Sequence, residues 1–184
     1  IGCIGDFLDD FCFYAVDLPG EPGLSQPARC TLATDEPLVW LGGLMDALGL
    51  PRAHFLTMSL GSWYALNLAA RHPERVAALS IFTTGGIAPA KKGFALKALW
   101  YLAQGAKGQE KLARAVYHKA EVPRDVLEFQ ALVTKHFNPT REALPIFSDE
   151  EIRRIAAPVQ YFGGEADALL DTAATAKRLA ALLP

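Results

Sequence analysis

The stretch from His54 to Arg71 constrains the fold more than any other part of the chain. His54-Phe-Leu-Thr-Met58 is a short apolar run with the make-up of a buried strand. It passes without a loop into Ser59-Leu-Gly-Ser-Trp63 and then into Tyr64-Ala-Leu-Asn-Leu-Ala-Ala-Arg71, which reads as a helix ended by Pro73. A strand that turns this abruptly into a helix must lay the helix back across its own sheet. Val76-Ala-Ala-Leu-Ser-Ile-Phe82 follows as a further strand, closed by Thr83-Thr-Gly-Gly86. Strand and helix therefore alternate, and the strands are continuously apolar. That pattern predicts an α/β fold with a mostly parallel sheet covered by helices on both faces.

The flanking segments extend the pattern. Phe11-Cys-Phe-Tyr-Ala-Val16 predicts a buried strand, with Asp17-Leu-Pro-Gly-Glu-Pro-Gly23 as the loop at its C-terminal end. Trp40, Leu41, Leu44, Met45 and Leu48 recur at helical spacing, and Gly49 stands where a helix C-cap belongs. Pro158-Val-Gln-Tyr-Phe162 predicts a fourth strand and Thr172 to Leu183 a final amphipathic helix. The middle differs. Residues 95–104, 109–120 and 124–137 suit helices separated by Gly105, Gly108 and Pro123, with no strand among them. Ser148 with Glu151 three residues on forms a capping-box pattern. The expected organisation is a core of residues 1–87 and 148–184, interrupted by a helical cap or lid over 88–147.

The chemistry concentrates at the strand-to-helix turn Thr57-Met-Ser-Leu-Gly61. A serine on so sharp a turn has its hydroxyl pushed out of the sheet. The helix behind it contributes positive partial charge, and the amide of the next residue, Leu60, faces the position where an oxyanion would form. This is the layout of a nucleophile elbow, Gly-x-Ser-x-Gly, with Gly61 in place and Thr57 where the first glycine belongs. The competing reading of Ser59 is an ordinary N-cap serine. In such sites an acid follows a later strand, in chain order serine, acid, histidine. Asp167, after the turn Gly163-Gly164, holds that place, with Asp171 in reserve. A carboxylate there orients an imidazole and stabilises it once protonated.

The base is the gap in the pattern. The 4 histidines are His54, His72, His118 and His136. His54 precedes the elbow strand, His72 ends the elbow helix, His118 and His136 fall in the insertion, and none follows Asp167. Other chemistries find no support. Gly20-Glu-Pro-Gly23 is no dinucleotide fingerprint, Gly86 to Lys92 is no P-loop, and no His, Cys or carboxylate cluster has metal spacing. No cofactor is expected.

Together these residues resemble the α/β-hydrolase superfamily. The likeness rests on Tyr14-Ala-Val-Asp-Leu-Pro-Gly-Glu-Pro-Gly-Leu-Ser25, Leu56-Thr-Met-Ser-Leu-Gly-Ser-Trp63, His72-Pro-Glu-Arg-Val76 and Pro158-Val-Gln-Tyr-Phe-Gly-Gly-Glu-Ala-Asp167. Within the superfamily the chain is most similar to the bacterial carboxylesterases that include the naproxen esterases. The resemblance implies a partial α/β-hydrolase fold and a cofactor-free Ser-His-Asp mechanism. Ser59 is its nucleophile, the Leu60 amide half of its oxyanion hole and Asp167 its acid. A lid would cover an apolar pocket lined by Met58, Leu60, Phe94 and Trp100, taking a small apolar ester. It also implies an N-terminal loop with a second oxyanion donor and a later Gly-His turn. The chain shows neither, so it is expected to be a fragment, inert alone, of a serine esterase. The alternatives are a non-catalytic ligand binder on the same fold, or carbon–carbon hydrolysis, acyl transfer or peroxidation.

Composition bounds the rest. Of 184 residues, 51% are hydrophobic and 21% charged, enough apolar matter for a sizeable core and too much for disorder. Eighteen basic residues against 20 acidic ones leave a net charge of −2, which favours neither nucleic acid nor an anionic membrane surface. No apolar run reaches membrane-spanning length. The sparse set Cys3, Cys12 and Cys30 points to reduced thiols and a cytoplasmic location.

Overall fold

The computed structural model describes residues 4–91, 93, 100, 101, 108, 111, 122–138 and 142–184. The chain divides into two compact units, Ile1–Cys30 and Thr31–Pro184.

The second unit carries a three-stranded sheet in the order β1-β2-β3, with β1 Ala53–Met58, β2 Val76–Phe82 and β3 Val159–Phe162. Both pairings are parallel. Helix α1 spans Glu36–Ala47, α2 Leu60–Arg71, α3 Arg124–His136, α4 Asp149–Arg153 and α5 Thr172–Leu182. The α/β class with parallel strands and flanking helices is as the alternation implied. Helix α1 begins four residues before its apolar stripe does, because Pro37 in its first turn has a φ already suited to a helix and no amide to waste. Gly49 follows its C-cap at a φ of 68°, a conformation that glycine adopts without penalty.

The core lies on one face of the sheet. Leu79 and Ile81 point into it and are buried, and α2 packs over β1 and β2. Every residue of α2 from Ser62 to Ala70 is buried, as befits a helix that is apolar nearly all round. Helices α1 and α4 pack against α2 in turn, adding Leu41, Met45, Ile152 and Ile155 to the core. Burying one such aliphatic side chain is worth about 2 kcal/mol.

Two expectations need correction. The opposite face of the sheet is not covered in the same way. Burial alternates along β1 and β3, and Leu56, Met58, Phe82 and Phe162 are all exposed, Met58 at 70%. Continuous apolarity along a strand says that both faces want burial, and does not supply the element that buries them. The second correction concerns Phe11–Val16, which forms no strand and leaves Phe11, Tyr14 and Val16 about half exposed. A strand exists only through its ladder, and strand-like composition cannot provide the partner. In this first unit Phe13 instead meets Phe7 and Phe11 at ring-centroid distances of 6.5 and 6.2 Å. The loop after it is closed by the Asp17 carboxylate, which accepts the Leu24 amide at 2.8 Å.

Of the expected helices in the middle, α3 lies within one residue of its predicted bounds. Trp100, Tyr101, Gly108 and Lys111 are helical. Most of residues 94–121 lie outside the described residues. The capping box is present as read: the Ser148 hydroxyl accepts the Glu151 amide at 3.2 Å, and the Glu151 carboxylate accepts the Ser148 amide at 2.8 Å.

The ends of the middle segment are held firmly. Phe147 N donates to Gly86 O at 2.8 Å, and the Trp63 indole on α2 donates to Pro145 O at 2.9 Å. Arg178 on α5 donates to the carbonyls of both Ile87 and Phe147 and pairs with Asp149. Gly86 sits at a φ of 83° against the Trp63 ring, where a Cβ would come within 2.4 Å of the indole, so no other residue fits.

Candidate active site

The C-terminal ends of the three parallel strands lie side by side, with Ser59 directly after β1 and Asp167 five residues after β3. Ser59 lies between β1 and α2 with φ 53° and ψ −116°, a backbone conformation that residues with a Cβ rarely adopt. Its amide donates to Phe82 O and Thr83 O, both at 3.2 Å, which anchors the turn to the end of β2. Ser59 occupies the N-cap position of α2, yet its side chain makes no capping hydrogen bond. The ordinary N-cap reading therefore does not describe it, and the residue is exposed. Its carbonyl accepts from the amides of Ser62 and Trp63, while the amides of Leu60 and Gly61 belong to the first turn, where a helix offers donors without intrahelical partners.

Thr57 is accommodated where a smaller residue was expected. A Cβ on Gly61 would stand 4.0 Å from Thr57 Cβ, an ordinary contact, so the turn closes around the threonine. The Thr57 hydroxyl is buried without a hydrogen-bond partner, a cost the turn carries.

Asp167 follows β3 by five residues and is half-buried. Its Oδ1 accepts the amides of Leu169 and Leu170, both at 2.8 Å. Two backbone donors on one oxygen fix the plane of the carboxylate. The turn before it is tight: at Gly163 a Cβ would lie 2.8 Å from the Tyr161 hydroxyl and 2.9 Å from Thr172 Cβ. Desolvation raises the pKa of Tyr161. Asp171 has a different occupation, since its Oδ1 accepts the Ala174 amide at 2.9 Å as the N-cap of α5.

Register brings two further residues to these strand ends that the sequence reading left in the strand interior. Met58 pairs with Phe82, and Phe82 with Phe162, so the three stand in a row on one face beside Ser59. The two phenyl rings stack at 4.6 Å and 10°. The available signal was that both phenylalanines end their strands immediately before a glycine- or threonine-rich turn. Trp100 is 63% exposed, with Tyr101 at 5.4 Å and the Lys111 ammonium over its ring at 5.9 Å. Phe94 and His118 lie outside the described residues.

The described histidines stand elsewhere. His54 is at the N-terminal end of β1 and His72 ends α2 with its Nδ1 3.3 Å from Glu74, both remote from the Ser59 end of those elements. His136 closes α3 and is exposed. Among the described residues no group of three or more His, Cys, Asp or Glu side chains is placed to hold a metal ion, and no helix is long and apolar enough to cross a membrane.

An exposed serine on a strained strand-to-helix turn, with a backbone-braced carboxylate beyond a later parallel strand, is the arrangement expected of an α/β-hydrolase. The chain belongs to that family: the model for the alpha/beta hydrolase fold matches residues 2–146. Among curated relatives it is 27% identical to an uncharacterized carboxylesterase, nap, of Bacillus subtilis over 98% of this chain and 63% of that protein. It is likewise 27% identical to carboxylesterase YbfK of the same organism, over 98% of this chain and 64% of YbfK. The crystal structure of YbfK superposes with a TM-score of 0.82 at 25% identity, over 98% of this chain and 66% of that one. The naproxen esterase structure from Bacillus subtilis gives 0.67 at 27% identity, over 81% of this chain and 55% of that one. The chain thus spans a little under two thirds of the length of the curated carboxylesterases it matches.

Proposed function

We propose that the protein to which this chain belongs is a serine hydrolase that cleaves carboxylic esters through an acyl-enzyme. The observation that carries the reading is Ser59, strained, exposed and not engaged in capping. In the first step Ser59 Oγ bonds to the ester carbonyl carbon and its proton passes to an imidazole. The carbonyl oxygen becomes an oxyanion held by the Leu60 amide, a type of donor typically worth about 10²–10³ in rate. The tetrahedral species collapses as the carbon–alkoxy bond breaks and the imidazolium protonates the leaving alcohol. Water, deprotonated by the same imidazole, then releases the acid and restores Ser59.

Asp167 orients that imidazole, with Oδ1 held by two amides and Oδ2 toward the ring. Asp171 is left to its cap. None of the four histidines follows Asp167, the chain order that such a relay takes, so the 184-residue chain by itself is expected to be inert. Residues 88–147 act as a lid, and Met58 and Trp100, joined by Phe82 and Phe162, line an apolar acyl or alcohol pocket. The carboxylesterase relatives support ester substrates over the other reactions of the fold.

Fluorophosphonate labelling followed by peptide mass spectrometry tests this. The protein expressed from the whole reading frame of its gene is expected to be modified at Ser59 and to hydrolyse p-nitrophenyl butyrate, with Ser59→Ala abolishing both. The 184-residue chain is expected to do neither. A folded whole-frame protein whose esterase activity survives Ser59→Ala would end the proposal.

A further inference from the structure

Asp167 is braced from outside its own loop as well as from within. Lys91 reaches across 76 positions of sequence, and its Nζ donates to the Asp167 carbonyl oxygen at 2.7 Å. The Lys91 amide donates to the Leu169 carbonyl at 2.9 Å. The two bonds grip the loop on either side of the turn in which Asp167 Oδ1 takes the amides of Leu169 and Leu170. The internal turn sets the carboxylate relative to its own backbone. The two Lys91 bonds tie that backbone to the segment that leaves β2.

We infer that Lys91 is a positioning residue of the hydrolytic site, clasping the acid loop by the Asp167 carbonyl so that the carboxylate faces the base. The inference rests on the reading of Asp167 as the acid of the relay. The donor is an ammonium, which bonds a carbonyl more strongly than a neutral group does, and it acts on the peptide unit that immediately follows the Asp167 Cα. Loss of that bond frees the peptide to rotate, and the carboxylate turns with it. Displacements of about 1 Å in such a constellation cost up to about a hundredfold in rate. Lys91 lies near the start of residues 88–147, so one residue fastens the acid loop to the beginning of the proposed lid.

Lys91→Met keeps the aliphatic stem and removes the donor, and Lys91→Arg keeps a cationic donor. In the 184-residue chain, Lys91→Met is expected to speed hydrogen exchange of the Leu169 and Leu170 amides about tenfold, leaving β2 amides such as Leu79 unchanged. In the whole-frame protein it is expected to lower kcat about tenfold with KM within twofold of its starting value, and Lys91→Arg is expected to recover most of the loss. Unchanged exchange at Leu169 and Leu170 would overturn the clasp. So would an unchanged kcat in Lys91→Met alongside an inactive Asp167→Asn. An active Asp167→Asn would overturn the acid assignment itself, and the inference with it.

Discussion

Ser59 carries a Cβ at a φ of 53°, where glycine would sit without strain. A residue held there stores about 1–3 kcal/mol against the rest of the fold. The usual order of stability, alanine above glycine, is therefore expected to reverse at this position. Ser59→Gly is expected to exceed Ser59→Ala by about 1 kcal/mol in urea-denaturation free energy, since both lack the hydroxyl and only alanine keeps the strain. Equal stabilities would mean that the turn relaxes. The serine was legible in the sequence because strand composition ran straight into helix composition. The difference between Asp167 and Asp171 was not, because both follow the same strand and composition does not show that one carboxylate is braced by loop amides while the other caps a helix. Phe82 and Phe162 were missed for a related reason: which residues stand side by side at strand ends depends on register, which composition does not encode.

At the level of elements, α4 shows how much a cap can matter. It has five residues, too few to repay helix nucleation by its own hydrogen bonds. Its capping box satisfies first-turn donors, and Ile152 and Ile155 anchor it and the residues just after it in the core. Ser148→Ala is expected to cost about 1 kcal/mol by chemical denaturation. A loss below ~0.3 kcal/mol would assign the helix to packing alone. This element was readable because Ser-x-x-Glu is a local rule with a local cause. The expected strand over Phe11–Val16 failed because a strand has no local cause. Its backbone groups must be met by another strand, and the only three-stranded ladder described is built from β1, β2 and β3.

For the whole molecule, the alternation of strand and helix was enough to give a parallel α/β sheet, while the asymmetry of its two faces was not visible. Alternation shows that helices cross the sheet and does not show on which side each one lies. Arg178 acts at this largest scale, since it joins α5, the segment after β2 and the segment before α4. Arg178→Met is expected to destabilise the fold by about 3 kcal/mol, because two carbonyls lose a charged donor and Asp149 loses the nearer of its two arginine partners. A change under ~1 kcal/mol, by urea denaturation, would show that water replaces the guanidinium at little cost. The same neck, closed by Arg178, the Gly86–Phe147 bond and the Trp63 indole, has a consequence for chain length. It fixes the two ends of the intervening segment independently of what lies between them. Halving or doubling a closed segment changes its closure free energy by only about 0.6 kcal/mol. With its two ends fixed in this way, the segment between residues 88 and 146 can change in length at little closure cost to the strands that precede Ser59 and Asp167.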